Sequence, residues 1–95
     1  MANQTLGQEI IRVDFAKDGE VKDMKIAFAA LLDRLINRSQ DAQKAMDTPP
    51  TILAPEAIQS HMEVIRKNEE LMRCMSEAGK LLEVAAMWAV KGLTA

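Results

Sequence analysis

The sequence predicts an all-α protein: an antiparallel helical hairpin with a short N-terminal helix or arm, assembled as a homo-oligomer. Three observations lead there. The 95 residues contain no Tyr and only two Phe, Phe15 and Phe28, while Ala, Leu, Met, Glu, Lys and Gln, all good helix formers, dominate. Two long stretches repeat apolar residues three and four apart on either side of Pro49-Pro50. The end of the second stretch, Leu81 to Val90, is apolar on more sides than one hairpin partner covers.

A chain of this length makes a single domain. It divides into an arm and connector (1–19), a first helix (20–46), a Pro-rich loop (47–54) and a second helix (55–91). In the arm, Thr5-Leu6-Gly7-Gln8 has capping-box spacing, and a short helix over about 6–12 would carry Ile10 and Ile11 inward. Gly7 weakens such a helix, and an ordered arm docked on a neighbour is the alternative. Val13 to Glu20 is a connector with Lys17-Asp18-Gly19 as its turn. Asp14, Asp18 and Gly19 fall at three positions of a calcium loop. Ala16 and Lys25 occupy two others where ligands are required, which argues against calcium.

In the first helix Val21, Met24, Phe28, Leu31 and Leu35 form the apolar line, broadened by Ala27, Leu32 and Ile36. Glu20 and Asp23 suit its N-terminal dipole. Beyond Ile36 the polar run Asn37 to Asp41 predicts fraying or a bend. Ile52 and Leu53 are expected to pack on the hairpin, and Pro55 opens the second helix, where a missing N–H is harmless. Its main line is Ile58, Met62, Ile65, Met72, Met75, Leu82, Ala85 and Ala89, with Gly79 as a candidate kink. Glu63–Lys67 and Glu69–Arg73 have the favourable acid-before-base order. The second helix would reach roughly 55 Å against some 40 Å for the first. That mismatch, with Leu81, Val84, Met87, Trp88 and Val90 pointing to several sides, calls for further copies of the chain.

Composition restricts function. Twelve basic and fourteen acidic residues give a net charge of −2, unlike the basic face of a DNA- or RNA-backbone binder. A single cysteine, Cys74, rules out an internal disulfide and suits a reducing cytoplasm. The first residues lack the charged and apolar regions of a signal peptide, and no membrane association is expected. His61 has no partner at metal-ligand spacing and reads as a surface residue. Cys74 lacks a paired base and reads as a half-buried helix residue. The acids are scattered, and the four glycines form no phosphate loop. Nothing points to an enzyme, a metal or a cofactor.

The seven methionines form either an adaptable groove or, more commonly at helical spacing, ordinary core. Phe15, in a polar connector just before a helix, either stacks on a flat ligand or caps the hairpin, and the usual burial of aromatics favours the cap. Lys17, Lys22 and Lys25 follow it. They would neutralise a phosphate or, for Lys22, pair with Asp18.

From Arg73 to Ala89 the chain resembles the helical hairpin domain of phage proteins that sequester immune signalling nucleotides, the anti-CBASS cyclic-oligonucleotide sponges and their relatives in Thoeris evasion. Arg73, Leu82-Glu83 and Met87-Trp88-Ala89 carry the likeness, and Ser76, Ala78 and Ala85 also coincide. The match covers under a fifth of the chain. The resemblance implies a cytoplasmic homo-oligomer, typically a hexamer, that holds cyclic di- or trinucleotides between protomers without cleaving them. It further implies Phe15 as the stacking residue, Lys22 or Lys25 as nearby base, and Arg73, with the matched Ser76, on the second helix. Where members show an aromatic-His-x-Pro run, this chain has Phe15-Ala16-Lys17-Asp18. The short loop that precedes the arginine in the family is absent. The alternative is a structural or adaptor helical oligomer that binds a protein and no small molecule.

Overall fold

A computed structural model describes residues 4–50 and 54–95. The described chain is all-helical: α1 (Leu6–Ile11), a 3-10 turn (Val13–Phe15), α2 (Glu20–Asp47) and α3 (Pro55–Leu93). No strand occurs among the described residues.

The capping box at Thr5 forms as its sequence predicts. The Thr5 hydroxyl accepts from the Gln8 backbone N–H at 3.1 Å, and Gln8 Oε1 accepts from the Thr5 N–H at 3.2 Å. Arg12 ends α1 with φ 60, a left-handed backbone unusual for a side-chain-bearing residue, and its N–H returns to the Gln8 and Glu9 carbonyls. The chain reverses there into the 3-10 turn. Asp18–Lys22 is an ion pair at 3.2 Å, and Gly19, at φ 135, provides the backbone turn into α2.

Gly7, expected to weaken α1, is what docks it. A side chain there would overlap the Ala29 carbonyl oxygen and stand 2.7 Å from Asp33 Oδ1. The bare backbone instead lies against α2, and its N–H donates to Asp33 Oδ1 at 2.7 Å. The arm therefore packs on its own chain. Ile11 is buried as predicted, whereas Ile10 is exposed, and Val13 of the connector joins the core.

α2 and α3 run antiparallel: Leu32 lies against Gly79, and Ser39 and Gln43 line one groove with Met72 and Met75. The expected bend after Ile36 is absent; α2 continues through the polar run and buries Ala42 completely. α3 likewise passes Gly79 unbroken. Gly79 is a close approach, with its would-be Cβ 3.4 Å from Leu32 Cδ1. Of the predicted line of α3, Ile65, Met72, Met75, Leu82 and Ala89 are part-buried, Ile58, Met62 and Ala85 are exposed, and the fully buried places go to Gly79 and Ala86. Leu31 and Ala27 of α2 also face out. Small residues at the crossing let the helices approach, and larger ones are displaced to the flanks. The predicted packing of Ile52 and Leu53 lies outside the described residues.

The core is thin. It consists of Ile11, Val13, Ala29, Leu32 and Ala86, flanked by Phe28, Ile36 and Leu82. No large side chain is fully buried among the described residues. The chain measures 60 × 29 × 12 Å with a radius of gyration of 18.1 Å, where a compact chain of this length has about 12 Å. Its 7191 Å² of surface exceeds by about 1,800 Å² what a compact protein of this mass exposes. The predicted length mismatch holds, since α3 has 39 residues and α2 has 28.

Candidate functional site

Two places gather the residues singled out in the sequence. The first is the end where the 3-10 turn, the start of α2 and the end of α3 meet. Phe15 stands there 84% exposed, so it does not cap the hairpin. A ring that remains in solvent is free to stack on a ligand or a second protein. Its N–H donates to the Arg12 carbonyl at 3.2 Å, and the same carbonyl accepts from Lys25 Nζ at 3.4 Å. Phe15 and Lys25 are thus tied to one peptide group. Lys22 is half-buried and paired with Asp18.

Beside this turn runs a groove of about 640 Å³, lined by Ile10, Arg12, Lys25, Glu83, Met87 and Lys91 among others. Three cations border it against one carboxylate, in a chain whose net charge is negative. The αL turn at Arg12 places that residue on the groove, and Lys91 comes from the last turn of α3. Sequence reasoning missed both. An Arg between two buried aliphatics, Ile11 and Val13, was the available signal, because an arginine there must leave the core.

The second place lies further along α3. Arg73 is exposed and engages Glu70, its Nε donating to Glu70 Oε2 at 3.0 Å and its second guanidinium nitrogen to Oε1. The expected Glu69–Arg73 pair is replaced by this i,i+3 fork, and Glu63–Lys67 is not among the ion pairs of the described residues. The hydrogen bonds from Arg73, then its charge, hold the Glu70 carboxyl below its ordinary range and raise the guanidinium in turn. Arg66, Lys67 and Glu69 share a shallow surface groove with this pair. Ser76 faces a different one, between the helices, with Ser39, Gln40 and Met72. These residues are remote from Phe15 within the chain, for the α2 stretch from Lys25 to Ser39 alone spans roughly 20 Å.

Two residues differ from expectation. Cys74 is exposed, its thiol 3.7 Å from Glu70 Oε1, and His61 is half-buried rather than superficial. No group of three metal-ligating side chains occurs among the described residues. None of their helices is long and apolar enough to cross a membrane. Comparison with family models, characterised proteins and solved structures finds no match to this chain.

Proposed function

We propose that this chain is a non-catalytic, self-associating binder that holds a phosphate-bearing cyclic di- or trinucleotide and thereby lowers its free concentration. The observation that carries it is the convergence of Arg12, Lys25 and Lys91 on one groove next to an uncovered Phe15. Guanidinium and ammonium groups supply donors for phosphate oxygens, and an exposed aromatic ring supplies a face for a base. The resemblance of Arg73–Ala89 to phage nucleotide sponges supports the same ligand class. Arg73 and Ser76 enter through assembly, where a neighbouring protomer brings α3 to a shared seam. Such a binder needs affinity and copy number but no turnover. A host cytoplasm and a hexamer belong to this reading.

Titration calorimetry against a panel of cyclic di- and trinucleotides tests it. Binding is expected, with Phe15→Ala and Lys25→Ala each weakening it about tenfold or more, the scale of a stacked base or a charged hydrogen bond. Heating the complex should return intact nucleotide. Absence of heat with every ligand, or recovery of a hydrolysed product, defeats it.

A second reading rests on the outward face of α3, where Leu81, Met87 and Trp88 are each about two-thirds exposed. There the chain is a structural or adaptor oligomer binding a protein partner and no small molecule. Silence in the calorimeter from a correctly assembled protein favours it.

A further inference from the structure

The face of α3 turned away from the core has a defined pattern. Leu81, Val84, Ala85 and Trp88 are all exposed, and their spacing of three, one and three places them on one stripe. Gly79 and Ala86, buried against α2, lie on roughly the opposite side of the same helix. Its two ends carry opposite charge: Glu77 continues it one turn towards the N-terminus, and Lys91 one turn towards the C-terminus. Glu77 holds Lys80 at 3.3 Å in an exposed pair, and Lys91 Nζ stands 4.9 Å over the Trp88 ring.

The geometry points to a two-fold contact in which α3 of one protomer packs antiparallel on α3 of a second copy, with the axis close to Val84 and Ala85. This rests on the assembly proposed above and names the surface that makes it. An antiparallel crossing centred there sets Leu81 against the partner's Trp88 and Glu77 near the partner's Lys91. A parallel pairing would instead set Glu77 beside the partner's Glu77 and Lys91 beside the partner's Lys91, which costs stability twice at each contact. Ala85 near the axis lets the backbones come together, as small residues do at helix crossings. Area favours a second copy as occupant. The protomer exposes about 1,800 Å² beyond a compact chain, and a stable contact removes about 800 Å² from each partner. That excess belongs to the whole chain, and the exposed Leu81, Val84 and Trp88 place part of it on this stripe. The contact is isologous, so every substitution on the stripe acts twice.

Cross-linking with a short bismaleimide, in the full chain carrying Cys74→Ser, tests the surface and its direction. Ala85→Cys is expected to cross-link to itself, and a mixture of Glu77→Cys and Lys91→Cys chains to each other. Glu77→Cys alone should give no cross-linked pair, since its two copies would stand on the order of 20 Å apart. Leu81→Glu is expected to weaken assembly about a hundredfold or more in sedimentation, with helical circular dichroism retained as the check on folding. Self-cross-linking of Glu77→Cys, without the mixed pair, overturns the antiparallel direction. An assembled protein in which Ala85→Cys stays uncross-linked overturns the surface and leaves self-association standing. A wild-type monomer at micromolar concentration removes both. Nucleotide binding is scored separately and does not enter any of these outcomes.

Discussion

At one end of the hairpin, α1 and the 3-10 turn lie on α2 beside the last turns of α3, and every buried apolar residue except Ala42 is found there. At the other end, the first turns of α3 run on beyond the end of α2, and Ile58, Met62 and Val64 are exposed. Both ends are rich in aliphatic and Met side chains. What separates them is a third element. Two helices touch along a line and shield one stripe of each, so their flanks stay wet. A third piece laid across the pair closes one flank, and even six residues of α1 suffice to create a core. The far end has no such piece among the described residues, and its apolar side chains stay in solvent.

This contrast can be broken most directly at Leu32, which is 4% exposed and faces Gly79. Leu32→Ala is expected to destabilise by about 2–3 kcal/mol in urea unfolding, the lower part of the range for a buried Leu because the core is thin. Met62→Ala, 64% exposed at the far end, should change protomer stability by no more than about 0.5 kcal/mol. Equal effects would mean that the two ends are not different in kind.

Gly7 is the next point of attack. Gly7→Ala brings a methyl group into the Ala29 carbonyl and should cost about 1–3 kcal/mol. Amide exchange would show the loss concentrated in α1, the 3-10 turn and the facing turn of α2. Because Arg12 and Phe15 are held by that docking, binding of the proposed nucleotide should fall with it if the groove is its site. A Gly7→Ala protein with native protection in α1 contradicts the role of this close contact.

Asp33→Ala removes the acceptor of the Gly7 N–H. A part-buried donor left without a partner costs about 1–2 kcal/mol, and the change should be subadditive with Gly7→Ala, since both act on one contact. Full additivity in the double mutant would separate them.

The smallest effect belongs to Glu70. Its carboxyl is held below the ordinary value by Arg73. Whatever the pair contributes is present above the ordinary carboxylate range and is lost as pH falls through the lowered value. The group is exposed, so the observable is the titration itself. Carbon-detected NMR should show the Glu70 midpoint moving upward in Arg73→Ala. An unchanged midpoint would mean that the fork does not persist in solution.

Much of this fold was legible in the residues. Pro49-Pro50 and Pro55 bracketed the hairpin loop, the Thr5–Gln8 spacing announced α1, and both long helices begin at their predicted residues and end within two of them. Less of the candidate site was legible. Phe15 stood out as an aromatic in a polar connector, and Lys25 by its nearness in sequence. Arg12 and Lys91 come together only when α1 has docked and the end of α3 has returned beside the start of α2.

Local propensity and three-four periodicity determined from sequence that this chain is helical, where the helices start and stop, and that their lengths differ. Those properties depend on neighbours within a few residues. Which residues of the inward side reach the crossing itself was decided by the tertiary structure, because close approach favours the smallest residues there over the largest apolar ones. Gly7, Gly79 and Ala86 therefore hold the seams, and Leu81, Met87 and Trp88 are left outside.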